Sequence, residues 1–227
     1  MKFIVIGLGS FGASLAEKLT IQGNEVMGVD NRMEKVNMLK DKITNTICID
    51  ATDETAFTSL PLKNTDIVIV AIGENEGANI MVTALCKNHF VKRLISRAIS
   101  PLHEKVLTAI GVSEIVHPEE ETAERWAKKL CLNGLIESFE LNANYSIIEA
   151  VAPKKYVGRN ILEIGFREKF SILVLTLIKK TEQKNIFGEN KMVSTVLHGI
   201  PDPKTIIQDG DILALYGNNE DLKKFLK

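Results

Sequence analysis

Cysteine is scarce in the 227-residue sequence, and Cys48, Cys86 and Cys131 stand far apart with no CxxC pair. An odd, scattered set excludes a disulfide scaffold and a zinc site, and predicts core thiols in a reducing compartment. Charge of one sign is also lacking. There are 28 Lys and Arg against 29 Asp and Glu; residues 1–134 carry 15 basic and 17 acidic side chains, residues 135–227 carry 13 and 12. With no basic stripe, nucleic acid is not an expected partner. Long apolar runs are missing. Crossing a bilayer takes about 20 consecutive apolar residues, whereas the best runs, 67–72 and 172–178, have the length of strands. The chain is therefore expected not to span a membrane. No basic start leads into a cleavable apolar segment, so nothing is expected to direct export, and the expected location is cytoplasmic. Catalytic signatures are absent as well: no P-loop, no serine elbow, no HExxH. His89 ends a predicted helix, His103 starts one, His117 precedes a proline and His198 ends a predicted strand, none within a catalytic pattern.

What is present is concentrated in residues 1–30. The apolar run Phe3-Ile4-Val5-Ile6 stops at Gly7, and Gly7-Leu8-Gly9-Ser10-Phe11-Gly12 leads into a helical pattern with Phe11, Leu15 and Leu19 on one face. Strand, tight turn and helix in this order form a phosphate-binding unit. Gly7 permits the turn, Gly9 admits a phosphate to the backbone, and Gly12 lets helix and strand pack closely. The helix start offers free N–H groups to an anion. A second strand ends at Asp30, where this fold places a carboxylate on ribose hydroxyls and disfavours a 2′-phosphate. The competing reading is a glycine turn with Asp30 as a helix cap. Asn31 and Arg32, next along the chain, are assigned to the same site.

The alternation continues with a helix over 33–42, a strand over 46–49, a helix over 54–60, a strand over 66–73, a helix over 74–88, a strand over 94–98, a helix over 101–110 and a strand over 114–116. Ligands in a wound parallel sheet lie outside the carboxyl ends of the strands. Asp50, Ala51 and Thr52 are thus expected at the adenine end, with Ala71, Ile72 and Gly73 alongside the nucleotide. Asn79, near a helix start, is a candidate for facing the phosphates, and Arg97, ending a strand, for pairing with one. Glu119, Glu120 and Glu121 suit a helix start through the macrodipole; one of them, Glu119, is also a candidate for holding a divalent cation, Mg2+ or another. The helix over 120–132 puts Ala123, Trp126, Ala127 and Leu130 on one stripe, expected to cross to a second subunit. From 135 the texture changes to short strands over 136–141, 145–151, 172–178, 192–198 and 212–216, a small helix over 160–164, a polar loop around 182–190 and a closing helix through Phe225. The predicted architecture is α/β: a Rossmann-like doubly wound parallel sheet over 1–134, including a crossover helix, and a smaller α+β lobe over 135–227.

The combination resembles the KtrA/TrkA family of cytosolic subunits built on an RCK (regulator of potassium conductance) domain. The likeness lies in Val5-Ile6-Gly7-Leu8-Gly9-Ser10-Phe11-Gly12, Val29-Asp30, Asp50-Ala51-Thr52, Val70-Ala71-Ile72-Gly73 and Ile110-Gly111 with His117-Pro118-Glu119. In the last part it lies in Ile200-Pro201-Asp202-Pro203, Gly210-Asp211-Ile212-Leu213 and Gly217-Asn218-Asn219-Glu220-Asp221-Leu222. The resemblance implies a homodimer assembling into a homo-octameric ring. That ring docks at the inner face of the membrane on an integral potassium-translocating subunit and responds to an adenine nucleotide (ATP, ADP, AMP or NAD(H)). It also implies that Arg97 stands in place of a phosphate-contacting lysine, and that Glu119 matches a carboxylate associated with a divalent cation. Ser10 departs from the family pattern, which has arginine there against the terminal phosphate of ATP. Two other functions are weighed against this one: an NAD-dependent oxidoreductase, and an RCK regulator of another cation carrier.

Overall fold

The computed structural model describes residues 1–184 and 190–227, with side chains described outside 179–198. The chain divides into two compact units, Met1–Glu121 and Thr122–Lys227. The division falls ahead of the boundary near Gly134 expected from the sequence.

In the first unit β1 (Lys2–Ile6), α1 (Ser10–Ile21), β2 (Glu25–Asp30), α2 (Met33–Leu39), β3 (Asn45–Cys48), α3 (Glu54–Phe57), β4 (Ile67–Val70), α4 (Glu76–Asn88), β5 (Leu94–Arg97), α5 (Pro101–Ala109) and β6 (Glu114–Val116) alternate. The six strands form one parallel sheet in the order β3-β2-β1-β4-β5-β6. The order reverses between β1 and β4, which opens a crevice beyond their carboxyl ends. Near-continuous apolar strands suit a sheet covered on both faces. Ile4, Ile6, Val68 and Val70 enter one core with Phe57, Val82 and Leu107, while Phe3, Val5, Ile67 and Ile69 enter the other with Ala16, Val36 and Leu39. The helices follow the predicted order with shorter ends. The helix predicted over 54–60 stops at Phe57, because the Thr58 and Ser59 hydroxyls donate to the carbonyls of Thr55 and Ala56 and bend the backbone into a turn.

Helix α6 (Pro118–Cys131) buries none of its side chains within the chain, and Trp126 and Leu130 are 50% and 77% exposed. In the second unit β7 (Leu135–Glu140), β8 (Tyr145–Val151), α7 (Ile161–Ile164), α8 (Phe166–Phe170), β9 (Leu173–Lys184), β10 (Asn190–His198), β11 (Ile212–Asn218) and α9 (Asn219–Leu226) follow. The strands form an antiparallel sheet in the order β10-β9-β11-β8-β7. Helix α8 is absent from the sequence reading, since five residues are too few to establish a helical period. Of the polar loop expected around 182–190, residues 182–184 belong to β9, residue 190 to β10, and 185–189 lie outside the described residues. Phe225 of α9 anchors this core: its ring centroid lies 4.9 Å from that of Tyr156, 5.0 Å from Phe166 and 5.5 Å from Phe170. Fully burying such a ring stabilises the unit by about 1.5–3 kcal/mol.

Candidate functional site

The crevice at the carboxyl edge of the parallel sheet is a cleft of about 650 Å³, within the usual range of small-molecule sites. Its floor is the glycine turn. Gly7 has φ +96°, and a Cβ there would come within 2.9 Å of the Ile72 backbone nitrogen. At Gly12 a Cβ would meet the Gly7 carbonyl oxygen at 2.0 Å, so α1 lies against the strand edge at a distance only glycine allows. Gly9 stands at the N-cap of α1 and no side chain caps the helix. The first-turn N–H groups therefore face the cleft with the positive end of the helix dipole.

Asp30 closes one side. It is buried, its Oδ2 accepts from the Leu8 N–H at 2.8 Å and its Oδ1 from the Arg32 N–H at 2.9 Å. The carboxylate ties the end of β2 to the glycine turn and still lines the cleft, with acceptor capacity left on both oxygens. At the far end of the crevice, Asp50 accepts from the Thr52 N–H and hydroxyl at 2.9 and 2.7 Å. The Thr52 hydroxyl bond, then its N–H, holds that carboxyl below its ordinary range.

Of the predicted site residues, Gly7, Gly9, Ser10, Phe11, Asp30, Asn31, Arg32, Asp50, Ala51, Thr52, Ala71, Ile72, Gly73, Arg97 and Glu119 all line this one cleft. Leu8 and Gly12 support it from beneath; Leu8 is buried and contributes its backbone N–H to Asp30. Asn79 does not reach it. It is completely buried on α4, donates to the carbonyls of Ile72 and Arg97 at 2.9 and 3.1 Å, and accepts from the hydroxyls of Ser96 and Thr83 at 3.0 and 3.3 Å. Asn79 is thus a clamp joining the ends of β4 and β5 from behind, and the expectation that it faces the phosphates is corrected.

Arg97 lies across Gly73. A Cβ on Gly73 would sit 2.3 Å from the guanidinium, so the close approach that this glycine permits is that of Arg97 itself. One guanidinium nitrogen donates to Glu119 Oε1 at 2.5 Å, the face stands 6.0 Å from the Phe11 ring, and Nε is buried with no partner among the described residues. A buried N–H without an acceptor is costly and fits a place where an anion is taken up. Of the lining residues that went unread in the sequence, three are polar: Lys35, Glu74 and Asn75. Lys35 and Arg32 both bond Glu74 across the cleft. Among the described residues no three His, Cys, Asp or Glu side chains converge as metal ligands. No helix among them is long and apolar enough to cross a membrane.

A glycine turn at a helix start, an acid at the end of the next strand and a crevice at the strand-order reversal define a Rossmann-like nucleotide-binding fold. Residues 3–118 match the family model of the TrkA-N domain. Ktr system potassium uptake protein C of Bacillus subtilis (strain 168) is 35% identical over 226 residues, covering 100% of this chain and 96% of that protein. The chain therefore belongs to the family of TrkA-N-containing Ktr potassium uptake proteins. In solved structures, the GsuK RCK domain matches with TM-score 0.64 at 15% identity, over 99% of this chain and 47% of that one. The NAD(P)-binding domain of an exopolyphosphatase-related protein from Archaeoglobus fulgidus matches with TM-score 0.51 at 26% identity, over 57% of this chain and 96% of that one.

Proposed function

We propose that this chain is the nucleotide-sensing cytoplasmic subunit of a potassium uptake system, acting on a membrane-embedded ion-translocating partner. The observation that carries the reading is the cleft itself: fifteen residues picked from sequence converge on one crevice with Asp30 beside the glycine turn. The relationship to a potassium uptake protein over the full length of this chain supplies the process.

The ligand class is an adenine nucleotide. Asp30 takes ribose hydroxyls, the uncapped start of α1 takes a phosphate, and Arg97 supplies a cation beside it. The chemistry available is binding rather than turnover. No histidine, cysteine or tyrosine lines the cleft among the described residues, and its lysine and arginines are paired with carboxylates. A divalent cation fits beside Glu119 only with help from ligand oxygens, since one carboxylate already bound to Arg97 is a poor site alone.

Sensing requires that the nucleotide favour one assembly shape over another, because a ligand shifts an equilibrium only by its difference in affinity between the states. A full swing from 1:99 to 99:1 takes about 5.5 kcal/mol, which several sites in one assembly can share. The element suited to carry the shift is α6: its start bears Glu119, which touches Arg97, and its exposed Trp126 and Leu130 offer an apolar stripe to a second copy of the chain. A homodimer through this stripe, assembled into a larger ring, is the arrangement proposed.

The test is a thermal-shift series with ATP, ADP, AMP and NADH, alongside mass spectrometry of ligand carried through purification, since bound ligand raises the melting temperature by mass action. Asp30→Ala should lower nucleotide affinity about 10- to 100-fold, as expected for losing hydrogen bonds to a charged acceptor. Shifts unchanged in that variant would disprove the ribose assignment. Turnover of NADH with carbonyl substrates would replace the sensor by an oxidoreductase, and co-purification with a different cation carrier would replace the potassium partner.

A further inference from the structure

The cleft is lined by four carboxylates, Asp30, Asp50, Glu74 and Glu119, against three cations, Arg32, Lys35 and Arg97. A site for phosphates that is itself net negative is unusual, and the pairing within it is specific. Glu74, just beyond β4, receives Arg32 through both oxygens at 2.9 and 2.8 Å and Lys35 Nζ at 3.2 Å. The cations come from the opposite wall, at the start of α2. Lys35 Nζ lies 3.9 Å from where a Cβ on Gly9 would be, so it reaches over the glycine turn, and its side chain is only 20% exposed. It sits in the first turn of its helix, where the dipole disfavours a cation. Its position is set by what it faces across the crevice rather than by its own helix.

We propose that Glu74 determines which nucleotides the cleft accepts, by holding Arg32 and Lys35 in ion pairs with which a ligand's phosphate charge must compete. This rests on the nucleotide reading given above. A phosphate at the start of α1 comes close to Lys35 and also to the Glu74 carboxylate that holds it. It gains one contact and meets one repulsion. The gain does not grow much with each added phosphate, because the cation is shared, whereas the repulsion grows with every negative charge. Glu74 thus narrows the advantage that ATP would otherwise have over ADP, AMP and the less charged pyrophosphate of a dinucleotide. Ser10 acts in the same direction, as it adds no cation at the first position of α1.

The test compares Glu74→Gln with the unaltered full-length protein, measuring dissociation constants for ATP, ADP, AMP and NADH by calorimetry at low and high salt. Glu74 is exposed, and the substitution keeps its shape, so folding is not at stake. The variant should bind ATP about fivefold more tightly, the scale of an exposed ion pair, with a smaller gain for ADP and the smallest for AMP and NADH. The graded gain should shrink at high salt. Lys35→Gln should weaken ATP binding more in the Glu74→Gln background than alone, since only there is the lysine free to serve the ligand. An ATP-to-AMP affinity ratio unchanged by Glu74→Gln, or a uniform loss for all four ligands, overturns the proposal. If Asp30→Ala still weakens binding about 10- to 100-fold in that case, the nucleotide reading survives it. Failure of the unaltered protein to bind any of the four ends both.

Discussion

Replacing Asn79 by alanine separates two views of this residue, one facing a ligand and the other facing the protein. The buried amide makes four hydrogen bonds: it donates to the carbonyls that end β4 and β5 and accepts from Ser96 and Thr83. With each of the four bonds worth about 0.5–1.5 kcal/mol net, and two strand-end carbonyls losing this donor, Asn79→Ala should cost about 3 kcal/mol. For a unit of this size that lowers the melting temperature by roughly 10 °C. The measurement is far-UV circular dichroism through heat and urea, because Trp126 lies outside the Met1–Glu121 unit and would report poorly on it. Saturating nucleotide should restore part of the loss by mass action. Asn79→Asp should be worse than alanine at pH 7.5, since it sets a carboxylate against two carbonyl oxygens. Burial raises the folded pKa of that carboxyl above its unfolded value of about 3.9. The extra cost therefore grows as pH rises through this window and recedes in acid. If Asn79→Ala were as stable as the parent and yet failed to bind nucleotide, the clamp would be refuted and a phosphate contact reinstated.

Two further outcomes follow from buried titratable groups. His103 is buried with neither ring nitrogen partnered among the described residues, and burial, only partly offset by Glu76, pushes its pKa down. A base whose folded pKa is depressed contributes stability above its unfolded value, near 6.5, and loses it as pH falls below that value. The melting temperature should drop between pH 7.5 and 5.5, and His103→Leu should flatten the drop; an equal slope in both proteins would show that other groups carry it. Burial raises the Cys86 thiol to about 12, whereas Cys131 is exposed. Iodoacetamide at pH 8 should modify Cys131 in the folded protein and Cys86 only after unfolding, read by peptide mass spectrometry. Equal labelling rates would contradict the burial of Cys86.

The cleft was legible in sequence because its parts depend on backbone geometry at strand ends. Gly7, Gly12 and Asp30 are dictated by close contacts that few other residues tolerate, and the run of apolar strands fixes which ends they occupy. Asn79 was misplaced for want of attention to period. It shares one face of α4 with Val82, Thr83 and Cys86, all fully buried, and the spacing of three, four and seven residues marks that face as inward. Lys35 and Glu74 were legible only in part. A lysine in the first turn of a helix contradicts the dipole, which is a signal. Its partner, though, lies 39 residues away on another βα turn, and that pairing exists only after the sheet brings both ends together. The domain boundary was read from a change of texture after Gly134, whereas packing divides the chain earlier, because α6 buries no side chain and so adds nothing to the core it leaves.

The placement of charges also constrains how binding could be transmitted. Arg97 is held by Glu119, the second residue of α6, while Arg32 and Lys35 are held by Glu74, next to the strand end that Asn79 clamps. On the proposed reading, an anion entering between these pairs would draw the cations toward itself and loosen both carboxylates. One of them sits at the start of the helix with the exposed apolar stripe, so the proposed response would begin where α6 leaves the sheet. The two ends of the cleft therefore differ in kind. Asp30, the proposed ribose contact, is fixed by bonds from the Leu8 and Arg32 N–H groups and should change little on binding. The Arg97 end is one ion pair whose carboxylate, Glu119, is exposed and replaceable, and the proposed sensing would convert ligand charge there into movement of α6.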